Sequence, residues 1–170
     1  MDRKVRGYTI MEVLIVIAIL MILSGFAFLW LRNLVLNQRL KATTDSLIGA
    51  YQTARMYSMT GRGQIGVGGD WQSRPWGVYI QDANTYILFE DANYNCQYDP
   101  GEEIKIFKTE PGITITPASG SQTIVFDKKG YPRNNVCGLG MSSVITLTSS
   151  VGSQRKIYIS RFGRIKYETQ

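Results

Sequence analysis

The distribution of apolar and polar residues separates the start of the chain from the rest. Residues 13–31 form a run of 19 positions without a charged side chain. At about 1.5 Å of rise per residue, a helix of this length measures about 28 Å, close to the ~30 Å hydrocarbon layer of a bilayer. The run therefore predicts a membrane-spanning helix. The basic residues before it favour a cytoplasmic N-terminus, but Arg32, Arg39 and Lys41 beyond it weaken this argument, so charge alone leaves the orientation open.

Beyond this run, apolar residues continue at helical spacing. Those that share one face, at intervals of 4, 7, 4 and 3, are Leu36, Leu40, Leu47, Tyr51 and Ala54. This spacing is typical of an amphipathic helix, and Gly61 and Gly63 are typical of a helix end. The pattern predicts one long helix from about Ile10 to about Thr60, with its second half packed on a folded head.

From residue 64 onwards, short β-rich segments alternate with turns rich in Gly, Asn and Asp, which predicts strands. The predicted strands are residues 64–67, 76–81, 85–90, 103–108, 113–117, 123–127, 143–148, 156–161 and 164–167. Hairpin-connected antiparallel strands packed against one long helix make an α+β fold.

Composition limits the chemistry that this chain can perform. It has no histidine, which excludes catalysis by an imidazole base and histidine-ligated zinc. The net charge of +6 is compatible with an anionic partner but does not identify one. Two cysteines, Cys96 and Cys137, could form a disulfide in an oxidising compartment or remain free buried thiols. The sequence leaves both alternatives open, and we expect no catalytic residues.

Residues 91–102 place oxygen-bearing side chains at the spacing of an EF-hand calcium loop. The candidate calcium ligands, at loop positions 1, 3, 5, 9 and 12, are Asp91, Asn93, Asn95, Asp99 and Glu102. Cys96 occupies the sixth position, where that motif has glycine, and strands rather than helices are predicted on both sides. The alternative is a long hairpin loop whose side chains bond their own backbone. No other cofactor is indicated.

Basic residues are concentrated near the C-terminus. A tight turn at residues 161–164 would place two guanidinium groups beside an aromatic ring, a combination that contacts phosphates and stacks on bases. The candidate DNA-binding residues are Arg161, Phe162, Arg164 and Lys166. The alternative is a solvated edge hairpin whose positive charges deter aggregation.

Residues 4–16, KVRGYTIMEVLIV, resemble the class III signal of type IV prepilins and type II secretion pseudopilins. The resemblance implies that a prepilin peptidase cleaves after Gly7 and that the new N-terminus at Tyr8, usually phenylalanine in the family, is methylated. It also implies that Glu12 pairs with the N-terminal amine of a neighbouring subunit during assembly. A general secretory signal is disfavoured because the small residue precedes the apolar run. A glutamate that reaches the lipid headgroups is the alternative role for Glu12.

The head resembles minor pseudopilins of the GspH/FimT type, at residues 89–102, at residues 126–132 and at the strand, Gly-Arg and strand that end the chain. Competence-associated members of this family use a Gly-Arg-x-Arg tail for DNA, and residues 163–166 match it with lysine in the last place. The implied organisation is a leader at 1–7, a transmembrane helix at 8–31, its amphipathic continuation at 32–62 and a β-rich head at 63–170.

The resemblance implies a minor pilin or pseudopilin of a type IV pilus or a type II secretion pseudopilus, and not an enzyme. Such a subunit resides in the bacterial inner membrane with its head in the periplasm or outside, and then assembles with other pilin subunits. The alternative function is a DNA-binding tip pilin in natural transformation.

Overall fold

The computed structural model describes residues 9–61, 74–118, 122–138 and 140–169, without the side chains of residues 26–30. The predicted leader at 1–7 and the predicted strand at 64–67 lie outside the described residues. The chain divides into two compact units, Met1–Val35 and Leu36–Gln170. Each unit is described by itself.

Helix α1 runs from Ile10 to Thr60, as the sequence predicted. The Thr9 hydroxyl accepts a hydrogen bond from the Glu12 backbone N–H (3.3 Å), so Thr9 caps the helix start. Thr9 and Glu12 have the spacing of a capping box, a signal that the sequence analysis did not use. At the other end, Gly61 takes the left-handed conformation (φ 67°) that commonly terminates a helix.

In the first unit, the described side chains of α1 are exposed, from Ile10 to Gly25 and from Leu31 to Val35. Within the described residues, no helix is both long enough and apolar enough to cross a membrane. The predicted transmembrane segment at 8–31 includes positions whose side chains are not described. It therefore stays a prediction.

The second unit contains two antiparallel sheets. Its strands are β1 (Trp76–Asp82), β2 (Thr85–Glu90), β3 (Glu103–Lys108), β4 (Ile113–Pro117), β5 (Thr123–Phe126), β6 (Pro132–Arg133), β7 (Ser143–Ser149), β8 (Gln154–Ile159) and β9 (Ile165–Thr169). The first sheet has the order β3-β2-β1-β5-β6 and the second β4-β7-β8-β9. A long helix with antiparallel sheets confirms the predicted α+β class.

Most strand predictions are confirmed within one or two residues. The largest shift is in β8, which ends at Ile159, whereas the prediction extended it to Arg161. The chain turns there because the Gly163 N–H donates to the Ser160 carbonyl (2.8 Å). The two-residue strand β6 was not predicted, since Pro132 and Arg133 form a strand only by pairing with Phe126 and Val125.

The core of the second unit lies between α1 and the sheets. All five apolar helix residues singled out by their spacing are buried. The helix end is attached to β1 by the buried Ser58 hydroxyl, which accepts a hydrogen bond from the Trp76 N–H (2.8 Å). Beside it, Gly77 allows close packing, because a Cβ there would lie 2.8 Å from both the Ile124 carbonyl oxygen and the Phe89 ring.

Candidate functional site

The predicted processing residues Gly7 and Tyr8 lie outside the described residues, whereas Glu12 lies in the first turn of α1 with its side chain exposed. Glu12 is the sole charged residue between positions 9 and 31. An acidic residue in the first turn is favoured by the helix dipole and by the capping box. The position therefore has a local role in the helix start as well as the predicted role in assembly.

The loop at residues 91–102 folds around a buried carboxylate. Asp91 is fully buried, and its two oxygens accept hydrogen bonds from the N–H groups of Asn95 (3.1 Å) and Cys96 (2.9 Å). Burial raises the pKa of Asp91 above its ordinary value, while these backbone hydrogen bonds act in the opposite direction. The buried Asp91 carboxylate thus holds the loop backbone at Asn95 and Cys96 in place.

The remaining candidate calcium ligands also bond within the loop. One Asp99 oxygen accepts from the amide groups of Asn93 (2.7 Å) and Asn95 (2.8 Å), and the Glu102 carboxylate accepts from the backbone N–H groups of Ala92 and Asp99. Among the described residues, no group of three or more acidic or cysteine side chains is placed to hold a metal ion. In this arrangement the oxygens accept hydrogen bonds from N–H donors, as in the alternative hairpin loop, and the calcium site stays a prediction.

A disulfide joins this loop to the turn that follows β6. Cys96 and Cys137 are bridged, with their Cα atoms 5.4 Å apart. Both take left-handed backbone conformations, with φ of 61° and 58°. Cys96 packs with Ile87, Phe89 and Val125. The sequence left the pairing open. The structure places the bridge over the face of the first sheet that does not pack on α1.

The basic end of the head is built from two turns in contact. The turn between β8 and β9 is closed by Gly163, which has φ of 74°. A Cβ at Gly163 would overlap with the carbonyl oxygen of Gly130, which lies in the turn between β5 and β6. The same carbonyl accepts a hydrogen bond from Arg55 Nε of α1 (3.3 Å). A helix residue therefore holds one turn from each sheet together.

The four predicted DNA-binding residues are divided between two surface cavities. Arg161 and Phe162 line a cavity of about 650 Å³, whereas Arg164 and Lys166 line a separate one of about 430 Å³. The prediction that Arg164 and Lys166 share a face is confirmed. A contact of all four residues with DNA stays a prediction.

The larger cavity, here called the two-turn cavity, includes residues that the sequence analysis did not select. Its lining residues are Asp127, Lys128, Lys129, Tyr131, Arg133, Gly140, Arg161 and Phe162. In the sequence, residues 126–132 carry a resemblance to the family, and their basic side chains are not among the predicted DNA-binding residues. The basic cluster becomes visible only when the two turns are brought together.

Asp127 fixes the turn between β5 and β6. Its Oδ1 accepts from the N–H groups of Lys129 (2.9 Å) and Tyr131 (3.0 Å), and its Oδ2 accepts from Arg133 Nη2 (3.1 Å). The carboxylate is thus occupied by the backbone and by one guanidinium. The charges of Lys128, Lys129 and Arg161 give the two-turn cavity a net positive character.

An exposed aromatic ring projects from this basic cluster. Phe162 remains 60% exposed, although the Arg161 guanidinium lies 4.8 Å from its ring centre. The Tyr131 ring packs against the Phe162 ring edge to face, with the ring centroids 6.3 Å apart and an angle of 68° between the ring planes. The two-turn cavity therefore combines an aromatic ring that can stack, Phe162, with the positive charges of Lys128, Lys129 and Arg161.

Two sequence profiles match the chain. The profile of the type II transport protein GspH matches residues 43–163, which span the second half of α1 and most of the head. The chain belongs to the GspH family. The profile of the prokaryotic N-terminal methylation motif matches residues 2–28, which include Gly7, Tyr8 and Glu12.

A curated relative agrees with this assignment, and two solved structures have a similar fold. The pilin-like protein PilA1 of Thermus thermophilus is 31% identical over 172 residues, which cover 96% of this chain and 98% of PilA1. The type IV minor pilin FimU of Pseudomonas aeruginosa superimposes with a TM-score of 0.55 at 15% identity, over 75% of this chain and 91% of FimU. The minor pseudopilin EpsH of the Vibrio cholerae type 2 secretion system superimposes with a TM-score of 0.52 at 9% identity, over 76% of this chain and 95% of EpsH.

These matches confirm the predicted class and fold. This GspH-family chain is a minor pilin or pseudopilin of a type IV pilus or type II secretion system. It is a structural subunit that assembles with other pilin subunits, and not an enzyme.

Proposed function

We propose that this GspH-family subunit is cleaved by a prepilin peptidase after Gly7, methylated at Tyr8 and assembled through the first half of α1. Before assembly, the helix resides in the bacterial inner membrane, with the head in the periplasm or outside. The observation that carries the proposal is the exposed apolar start of α1, whose one charge is Glu12. A helix of this kind must be covered by lipid or by other helices.

Glu12 supplies the pairing chemistry in this proposal. Cleavage after Gly7 leaves a free amine at Tyr8, four residues before the carboxylate. An unpaired carboxylate among apolar helices is costly. A subunit is therefore most stable at the position in the filament where a positive group lies next to its Glu12 carboxylate. The amine of a neighbouring subunit supplies that partner and thereby sets the position at which a new subunit docks.

Three variants separate the assembly role of Glu12 from its role at the helix start. Glu12→Gln preserves a capping-box side chain but removes the charge, Glu12→Ala removes both, and Thr9→Ala weakens the cap but keeps the charge. We expect all three to be processed in the native host, and only Thr9→Ala to enter filaments at the normal level. The measurement is the immunoblot ratio of sheared filament to membrane fraction. Normal incorporation of Glu12→Gln would falsify the pairing role.

A second candidate function, favoured by the two-turn cavity, is DNA binding by a tip pilin in natural transformation. Basic side chains around an open surface supply the phosphate contacts that dominate affinity for nucleic acid. Lys128, Lys129 and Arg161 provide them in one cavity, and Arg164 and Lys166 provide two more in a second cavity.

The test of the second candidate compares basic residues at the tail with basic residues elsewhere on the head. We expect the triple variant Arg161→Ala, Arg164→Ala and Lys166→Ala to weaken duplex binding at low salt. Lys105→Gln with Lys108→Gln, on the exposed edge strand β3, serves as the charge control. If the triple variant binds duplex as tightly as the wild type, the tail is not a DNA site.

A further inference from the structure

Phe162 is the feature of the two-turn cavity that phosphate binding leaves unexplained. A bulky apolar ring at the tip of a turn, 60% exposed, is a candidate for coverage by a partner. Lys128, Lys129 and Arg161 line the same cavity, and a purely apolar partner would bury those charges without pairing them, which is costly. The partner must therefore combine a flat apolar face with negative charge.

A nucleic acid whose bases are unstacked meets both requirements. Its phosphates can lie beside Lys128 and Lys129 while one base stacks on the face of Phe162. In a duplex the base faces are stacked on one another, so that only phosphates and base edges are presented. Duplex binding would use the charges of the cavity and leave the ring of Phe162 without a partner.

The geometry of the cavity suits a single nucleotide. Its volume of about 650 Å³ lies within the range of ordinary small-molecule sites. The ring of Phe162 is oriented from two sides, by the Arg161 guanidinium and by the edge of Tyr131. Asp127 holds three groups of the adjoining turn in place through its hydrogen bonds to Lys129, Tyr131 and Arg133.

We infer that the two-turn cavity binds an unpaired base with its flanking phosphates, so that the head prefers single-stranded over duplex nucleic acid. This inference rests on the second candidate function and names the form of nucleic acid that the site accepts. An acidic peptide is less suited, because it would pair with the lysines but offer no flat ring to Phe162.

The test uses the full chain in detergent, with a labelled single-stranded oligonucleotide and the duplex of the same strand. Fluorescence anisotropy at several salt concentrations gives Kd and its salt dependence for each. The wild type should bind the single strand more tightly. Phe162→Ala should weaken single-strand binding about fivefold or more, the equivalent of one lost base–aromatic stack. Duplex affinity and the salt slope should not change, because no charge is removed.

Tyr94→Ala is the matched control, since Tyr94 is also an exposed ring on a loop but does not line the cavity. It should leave both affinities unchanged. Equal affinity of the wild type for both forms, or an equal effect of Phe162→Ala on both, overturns the inference while DNA binding stands. Absence of binding to either form overturns the DNA function as well. Stronger competition by polyglutamate than by unlabelled single strand identifies an acidic peptide site and also overturns it.

Discussion

Gly163 lies against the carbonyl oxygen of Gly130 so closely that a Cβ atom could not be accommodated between them. The two residues belong to turns of different sheets, and each turn contributes basic and aromatic side chains to the two-turn cavity. The contact therefore sets the spacing between Lys128 and Lys129 on one side and Arg161 and Phe162 on the other. It is the structural basis of the cavity.

Replacing Gly163 with alanine should separate the two turns. Gly152→Ala is the matched control, because Gly152 also has a left-handed φ (89°) but a Cβ added to it would meet nothing within 4 Å. We expect Gly152→Ala to cost about 1 kcal/mol of backbone strain and Gly163→Ala about 1–3 kcal/mol more. Urea denaturation of the full chain in detergent measures both. Equal losses would show that the contact between the turns contributes nothing.

Tyr51 and Tyr86 should respond oppositely to loss of their hydroxyl groups. The Tyr51 hydroxyl is fully buried without a hydrogen-bond partner among the described residues, and burial raises its pKa well above the ordinary value. The Tyr86 hydroxyl shares a hydrogen bond with Ser46 Oγ (2.7 Å). Tyr51→Phe should raise the free energy of unfolding by about 1 kcal/mol, and Tyr86→Phe should lower it by about the same amount. A loss on Tyr51→Phe in thermal denaturation would reveal a partner for that hydroxyl.

Reduction of the bridge between Cys96 and Cys137 should lower the stability of the head. The bridge closes a loop with a sequence separation of 41 residues, and constraints of this size stabilise by about 2–4 kcal/mol. The unfolding midpoint in urea should fall when a reductant is added. The double variant Cys96→Ala with Cys137→Ala should start lower and not respond to the reductant. Thiol labelling verifies that the bridge is reduced. If the unfolding midpoint of the wild type is then the same with and without reductant, this prediction is contradicted.

The buried carboxylate of Asp91 gives a prediction for pH. Because its pKa is raised in the folded protein, the folded state binds the proton more readily than the unfolded state, so Asp91 contributes more stability as the pH falls. Asp91→Asn should cost about 1–3 kcal/mol at neutral pH, since an amide nitrogen would face the N–H groups of Asn95 or Cys96. The difference in the free energy of unfolding between the variant and the wild type should grow as the pH is lowered towards 3.8, the ordinary pKa of an aspartate. A difference that shrinks would mean that those N–H groups favour the ionised form.

The elements of this fold that follow a local period were predictable from sequence. The helix face of Leu40, Leu47 and Tyr51 repeats at helical spacing, and strands β2, β3 and β4 alternate or carry β-branched residues between clear turn signals. Strand β6 has no such period, because Pro132 and Arg133 are defined by their partners on β5. Its existence depends on pairing that the local sequence does not encode.

The candidate site was less predictable for a related reason. Arg161 and Lys129 are 32 residues apart, in different sheets, and become neighbours only because Gly163 and Gly130 allow their turns to touch. The sequence grouped Arg161 with Arg164 and Lys166 because they are close in the chain. It could not reveal that a left-handed glycine directs them into different cavities. In the loop at residues 91–102, the same oxygen spacing serves a cation or backbone N–H groups, and spacing alone does not distinguish the two.

The bridge between Cys96 and Cys137 also gives the head a covalent ring. Strands β3, β4, β5 and β6 all lie between the two cysteines, and they contribute to both sheets. A single backbone cut within the ring leaves the two pieces of the chain covalently attached, so a protease acting there nicks the subunit without releasing a fragment until the bridge is reduced. If the head lies outside the cytoplasm, as proposed, the covalent ring would keep a nicked head in one piece within the assembled filament.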